Sequence, residues 1–581
     1  STLNSVVHYD NMRIYDGTEP RDLDSEAPTE HPVFSDEKAL AFLRDKTALH
    51  TYGGTLYYNN AKVDVKEAVQ TAGDDAFVTA DVFEKLFGVS VVENGDTVTA
   101  DNAIFTVGSK TVTINGASVT LAAAPKRENN ALWLPIAAYG QNAVAKGCYY
   151  DDNHGMFVVS KSTFDAASSP TKEANQYLFF ARKTPEQLKN MLLANTNNDL
   201  TTHPRLFANA DDFEVLRSEV QTNSYKSEWY SDIQRRADNL LTQEPLTYVI
   251  SNGRLLDVAN SALTRMEILG MSWQITREQK YADRLIQELD AISQFADWHP
   301  EHTLDTGTMA MAAAIGYDWG YDGMTAEQRT TFADRLYNVG LKTARAAYYG
   351  TADFPTWWTN TETNWGGVVN AGFMNLAIAI AEKDPDYAMD IVANAKRGME
   401  ATIYRIAPDG AWYEGPGYWS YLLQSLSYEM AGYESAFGET DDVVSFKGMD
   451  GFAQYQMYFS DPSGNVNNFH DSDEGPIGCF GMFYLAKKFD QPALMNYRAS
   501  FITSQNQTPT VYDLLWYDVN AANSTDSAEL ALDCYYRETE LVTMRQEWNN
   551  ENALWVSAHG GSINTAHDHI CNEFGWCSLG C

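Results

Sequence analysis

"DDFEVLRSEVQTNSYKSEWYSDIQRRADNLL", residues 211 to 241, repeats apolar positions every three or four residues over its whole length, which is the period of an amphipathic helix. "ADRLIQELDAISQFADW", 282 to 298, does the same, and the pattern dominates from about 180 to 500. Helices of similar length follow one another across short loops with no strand alternating between them. That order excludes a parallel α/β fold and predicts stacked antiparallel helical pairs closing into a bundle or toroid, with a cleft where the loops converge.

The flanks read differently. Residues 1 to 53 are polar and acidic, as in "DGTEPRDLDSEAPTEHP" at 16 to 32, and are expected to be a linker or an arm laid over another surface. From 54 to 160 short alternating runs such as "DTVTADNAIFTVGS" and "KTVTINGASVTLAAAP" are broken by NG and GS turns, the pattern of strands and hairpins in a small β-rich module. "KSTFDAASSPTKEANQ" opens a linker over 161 to 180, and the helical region is assigned to 181 to 535. From 536 to 581 alternation returns in "ELVTMRQEWNNENALWVSAHGGSINTAHDH", the beginning of an antiparallel β domain. Some forty residues fall short of the roughly 100 that a β-sandwich needs, so the reading is of a truncated domain.

The 581 residues carry 41 Lys and Arg against 78 Asp and Glu, a net charge of -37, which repels nucleic acid and anionic membrane surfaces. No run of 18 apolar residues predicts a membrane span, and residues 1 to 17 lack the apolar core of a signal peptide, so a processed product is expected. Six cysteines are too few and too scattered for a disulfide scaffold. Cys571, Cys577 and Cys581 are spaced like a metal knuckle, but no second pair precedes them, and free thiols are the reading.

Two resemblances organise the rest. "VDVKEAVQTAGDDAFVTADVFEKLFGVSV", the "VTINGASVTL" hairpin and "ALWLPIAAYGQ" resemble the copper amine oxidase N-terminal-like domain of bacterial surface proteins. That domain mostly carries no copper site, and His154 is the one histidine between 54 and 160. It implies an accessory module, with secretion or cell-surface location and association with a cell wall.

The second resemblance rests on five ordered motifs: "THPRLFANADDFEVLRSEV" (202 to 220), "HTLDTGTMAMAAAIGYDWGYD" (302 to 322), "TNTETNWGGVVNAGFMNLAIA" (359 to 379), "PDGAWYEGPGYWSY" (408 to 421) and "SAHGGSINTAHDH" (557 to 569). Together they resemble the heparinase II/III-like polysaccharide lyases, a superfamily that includes several alginate lyases. The resemblance implies an α/α toroid followed by an antiparallel β domain, an anionic uronate polysaccharide in the cleft, and β-elimination needing no cofactor. A glycosaminoglycan is the expected substrate, ahead of alginate.

The chemistry explains the residue types. A proton alpha to a carboxylate is weakly acidic until donors meet the charge that develops there, and an amide donates without titrating. Asn364 is assigned this role, with Glu362 nearby to orient or titrate a partner. Many relatives place histidine after the asparagine; here Trp365 follows, so another residue must supply the second donor, and Trp365 is assigned to sugar contact.

"PDG" and "EGPG" are turn signals, so a helix is expected to begin near Tyr418, with Tyr418 and Tyr421 one turn apart. A phenol of ordinary pKa near about 10 serves readily as an acid and needs a cation nearby to serve as a base. Tyr418 is assigned to proton transfer to the leaving oxygen, with Tyr421 second. Trp412 and Trp419 are candidate stacking platforms or core. Glu414 and Arg405 are candidate substrate contacts, Arg405 within the basic stretch "NAKRGMEATIYR".

In "AHDH" the resemblance makes His567 a base or carboxylate partner and His569 a ligand of a structural divalent metal, zinc or similar, although "ICNEFGWCSLGC" replaces the usual continuation. In "NVNNFHDSDEGP", His470 is either a cleft residue held by carboxylates or part of a polar loop. His203 and His302 are read as structural. Two other functions stay open: a toroidal glycoside hydrolase using Glu414 with Asp471 or Asp473, carboxylates about 5 to 9.5 Å apart, and a noncatalytic glycan-binding surface protein.

Overall fold

The computed structural model describes residues 32–560 except 74, 145–146 and 521–529, together with the backbone of 576–580. It contains an N-terminal β-rich region, a large helical middle and C-terminal strands. Alternating burial sets the β-rich region: Val98 and Ala100 point inward from one strand, Ala103 and Phe105 from the next, with polar neighbours outward. At the predicted NG turn, Asn115 and Gly116 both take positive φ, 53° and 79°, as a two-residue hairpin loop requires. Helix Ala80–Phe87 packs Val82, Phe83 and Leu86 into the same core.

The boundaries differ from the sequence reading at both ends of this module. Strand Lys46–His50, within the segment expected to be a linker, pairs with Met156–Ser160 from Lys46 opposite Ser160 to His50 opposite Met156. Five residues are too few for a period to declare itself, and only the partner strand from over 100 residues away identifies them. His50 is thus a second histidine of the module, and burial pushes it down to about 3. The expected linker 161–180 contains helix Thr171–Phe179, whose Ala174 and Leu178, one turn apart, join Phe42, Leu43 and Tyr57 in a small core. Residues 1–31 lie outside the described residues.

The module is seated on the helical region. The His154 ring stacks on Tyr404 at 3.7 Å and its Nε2 lies 3.2 Å from the Tyr404 carbonyl oxygen. Asp36 accepts from both Arg182 and Arg397, and Val33 N–H donates to the Tyr348 carbonyl at 2.7 Å.

In the helical middle, Thr303–Gly320 and Asn364–Ala379 are buried around almost their whole circumference and pack against each other. Their closest approach is made by glycines: a Cβ on Gly372 would stand 2.1 Å from the Gly307 carbonyl oxygen. Leu256–Thr276 flanks this pair on one side, and Pro385–Tyr404 and Gly415–Phe437 flank it on the other.

Strands Asp533–Tyr536, Leu541–Arg545, Trp555–His559 and Trp576–Gly580 form one antiparallel meander. It rests on the helices through Trp555, whose indole donates to the Tyr458 carbonyl at 3.1 Å, and Asn467, which donates to Ser557 Oγ at 2.6 Å. Among the described residues no helix is long and apolar enough to cross a membrane.

Candidate functional site

Two helix starts meet at Glu414. The first N–H groups of a helix have no partner within it, and that of Asn364 is taken by Glu414 Oε2 at 2.7 Å. Glu414 itself immediately precedes the Gly415–Phe437 helix, which begins one turn earlier than expected. Burial pushes the Glu414 carboxyl up to about 7, against the pull of the Asn364 N–H, the Trp412 indole and Arg405. The Asn364 side chain is fully buried, and among the described residues neither its Oδ1 nor its Nδ2 has a hydrogen-bond partner. Native interiors rarely leave an amide in that state, so its donor capacity is unspent.

One turn on, the Tyr418 hydroxyl donates to Asp471 Oδ2 at 3.2 Å. The loop carrying Asp471 is held against the helix start by two glycines. Gly417 N–H donates to Ser472 Oγ at 2.7 Å, and Gly415, at φ 89°, lets the Phe469 carbonyl approach to where a Cβ would leave 2.7 Å. Burial first, then Asp471 and Glu414, push the Tyr418 phenol up to about 12, while Arg254 pulls the other way. Tyr418 therefore holds its proton at neutral pH. His470 sits on the same loop in the left-handed region, φ 56°, with Phe469 at 5.2 Å and His559 at 5.9 Å between ring centroids. Tyr421 faces the Thr303–Gly320 helix: burial raises its phenol, and a hydrogen bond with Thr308 lowers it.

A cluster that the sequence reading did not pick out lies beside these residues. Asp305 is fully buried and gathers three donors: Leu255 N–H on Oδ2 at 2.6 Å, His299 Nδ1 on the same oxygen at 2.8 Å, and His302 Nδ1 on Oδ1 at 2.7 Å. Burial disfavours the Asp305 charge, but these hydrogen bonds outweigh it and hold the carboxyl below its ordinary value. Burial likewise opposes a charge on His299, yet Asp305, Glu301 and Asp297 raise its pKa overall. The His302 ring meets Trp365 edge-on at 5.1 Å, and Trp365 in turn lies 4.8 Å from Trp357, which is 51% exposed. His302, read as structural, thus borders Trp365. The spacing in "HPEHTLD", two histidines and an aspartate each three residues apart, was the available signal.

The remaining candidates fall elsewhere. Trp412 and Trp419 are fully buried, Trp419 donating to the Phe452 carbonyl at 2.8 Å, so their rings pack the core and offer no face to a sugar. Glu362 pairs with Lys172 and lies 3.7 Å from Arg405, and its carbonyl accepts from the Tyr413 hydroxyl. Arg405 bonds Glu538 at 2.8 Å and stacks over Tyr413 at 4.6 Å. His203 is buried and bonded to Asp318 at 2.6 Å, in keeping with its structural reading. His567 and His569 lie outside the described residues, and among the described residues no group of three or more His, Cys, Asp or Glu is placed to hold a metal. Cys148, Cys479 and Cys534 are free thiols.

No family model matches this chain, and no curated protein matches it.

Proposed function

We propose that the protein is a polysaccharide lyase that cleaves a uronate-containing glycan by β-elimination, with a glycosaminoglycan preferred to alginate and the helical region acting as an α/α toroid. The carrying observation is the link through Glu414: its carboxyl holds the N–H of Asn364, whose buried amide has no hydrogen-bond partner among the described residues, and it stands one turn before the proton-holding Tyr418 phenol on the Gly415–Phe437 helix. Asn364 masks the uronate carboxylate as charge builds on it. The proton at carbon 5 leaves to a base, His470 or His567; the bond from carbon 4 to the glycosidic oxygen breaks; and Tyr418 gives its proton to that oxygen. Trp365 and Trp357 supply ring surface for the sugar.

The alternative in which Glu414 serves as the general acid of a hydrolase draws on its carboxyl being pushed up to about 7. The products separate the two. Incubation with heparan sulfate, hyaluronan, chondroitin sulfate and alginate in turn is followed by ultraviolet absorbance of the unsaturated uronate. Elimination gives a rise with one polymer; new reducing ends without a rise would establish hydrolysis, and neither signal would leave a glycan-binding role. The accessory module fits a secreted or surface-attached enzyme.

A further inference from the structure

The strand Leu541–Arg545 buries Leu541, Thr543 and Arg545 on one face, so its inward row ends on a charged side chain. Among the described residues four arginines are buried, and three of them have a carboxylate. Arg205 pairs with Glu382 at 3.4 Å, Arg284 with Glu288, and Arg498 with Asp513 at 2.9 Å. Arg545, 9% exposed, has no carboxylate partner among the described residues.

One nitrogen anchors it. Nη2 donates to the Met457 carbonyl at 3.2 Å and to the Ser460 carbonyl at 2.6 Å, at the end of helix Tyr455–Phe459, and the Trp548 ring covers the guanidinium at 4.1 Å. Nε and Nη1 have no hydrogen-bond partner among the described residues. Burial pulls the Arg545 pKa down, and Tyr497, Asp461 and Tyr458 offset only part of that. Two carbonyl dipoles supply a fraction of the counter-charge that a buried guanidinium requires.

Arg545 lines a cavity of about 170 Å³ between helix Pro492–Ser504 and the turn that follows its own strand. Ser500 and Ser504 bring hydroxyls to it, Asn549 an amide, and Asp461 and Glu551 carboxylates. Asp461 turns Oδ1 to the N–H groups of Ser463 and Asn465, at 2.8 and 2.9 Å, and forms no ion pair with Arg545. The cavity shares no residue with the site around Asn364 and Tyr418. It is smaller than the roughly 300 to 1,000 Å³ of a site for a drug-sized ligand, so it admits one small unit and not a length of polymer.

A planar guanidinium with open N–H groups matches the paired oxygens of a carboxylate or sulfate, and the hydroxyls, amide and carboxylates around it match sugar hydroxyls. We propose that this cavity is a second binding site, which takes one acidic sugar unit with its carboxylate or sulfate on Arg545 and its hydroxyls on Asn549, Asp461 and Glu551. The ligand's charge then completes the pairing that the other three buried arginines find within the chain. The site does not depend on the elimination reading.

The test titrates the full chain with glucuronate, glucose 6-sulfate, glucose and inorganic sulfate, followed by ligand-observed nuclear magnetic resonance. Two variants are compared with the parent: Arg545→Gln, and Ser504→Tyr, which fills the cavity from an exposed position and leaves Arg545 in place. Each is expected to weaken the better-bound acidic sugar by about 10-fold or more, the worth of charge-assisted hydrogen bonds, while the weaker binding of glucose stays insensitive to Arg545→Gln. Whichever of glucuronate and glucose 6-sulfate binds the parent more tightly names the charged group. Should Arg545→Gln fail to fold, Ser504→Tyr still decides. Parent-like affinity for both acidic sugars in Ser504→Tyr, or no binding of either to the parent, would overturn the site. Inorganic sulfate bound as tightly as glucose 6-sulfate, with the same loss in the variants, would overturn the sugar assignment. The ultraviolet assay is independent of these titrations, so a chain that fails to eliminate keeps this site, and a chain without Arg545-dependent binding keeps the elimination.

Discussion

The backbone N–H of Asn364 and the carboxylate of Glu414 are 2.7 Å apart, so one buried acid ties the start of the Asn364–Ala379 helix to the start of Gly415–Phe437. Asn364 and Tyr418 stand in separate motifs, 54 positions apart in the chain. That bond joins the two helix starts, and the helices themselves pack against each other.

Replacing Asn364 by Leu should separate stability from function. A buried amide without partners carries an uncompensated desolvation cost, so a similar apolar side chain is expected to raise stability by about 1 kcal/mol while abolishing turnover. Denaturant midpoints and the ultraviolet assay check both halves. A loss of stability would show that the amide is satisfied in solution.

Tyr418→Phe is expected to lower kcat by about 100-fold or more with little change in oligosaccharide affinity, because only the proton leaves with the hydroxyl. An unaltered rate would remove Tyr418 from the chemistry.

Glu414 sets a pH dependence of stability. Its folded pKa of about 7 lies above the ordinary 4.5, so the folded state holds a proton that the unfolded chain releases between those values. The contribution is fully present below about pH 4.5 and is lost as pH rises through 7; on the order of 3 kcal/mol is its upper bound. Glu267, also pushed up to about 7 by burial, acts in the same sense. Glu414→Gln should therefore remove part, and not all, of the fall in unfolding free energy between pH 5 and pH 8. An identical slope in both proteins would contradict the assignment.

Gly415→Ala should cost more than backbone strain alone. At φ 89° the new Cβ meets the Phe469 carbonyl at 2.7 Å and must displace the loop that holds Asp471 and His470. Gly88→Ala, at φ 68° in open space, reports strain without a clash. The expected losses are about 1 kcal/mol at Gly88 and about 2 to 3 kcal/mol at Gly415, with activity reduced only at Gly415. Equal losses would mean that the loop yields freely.

Much of the architecture was legible because it is local. Apolar spacing marked the helices, and alternation with NG turns marked the β-rich module. The Thr171–Phe179 helix and the Lys46–His50 strand were missed because each is short and recognisable only by what it packs against. Trp412 and Trp419 show the converse: an aromatic motif beside glycine and proline reads the same whether its rings face a cleft or a core.

The sequence by itself determined the order of regions and which residues have the chemistry to take part: an amide, phenols and histidines in ordered motifs. The tertiary structure decided which of them meet. It brought Asn364 to Glu414, one turn before Tyr418, sent Trp412 and Trp419 into the interior, and gathered His299, His302 and the Leu255 N–H on Asp305. Period and turn chemistry are properties of neighbours in the chain. Burial, pKa and the pairing of charge depend on distances that exist only once helices far apart in sequence have packed.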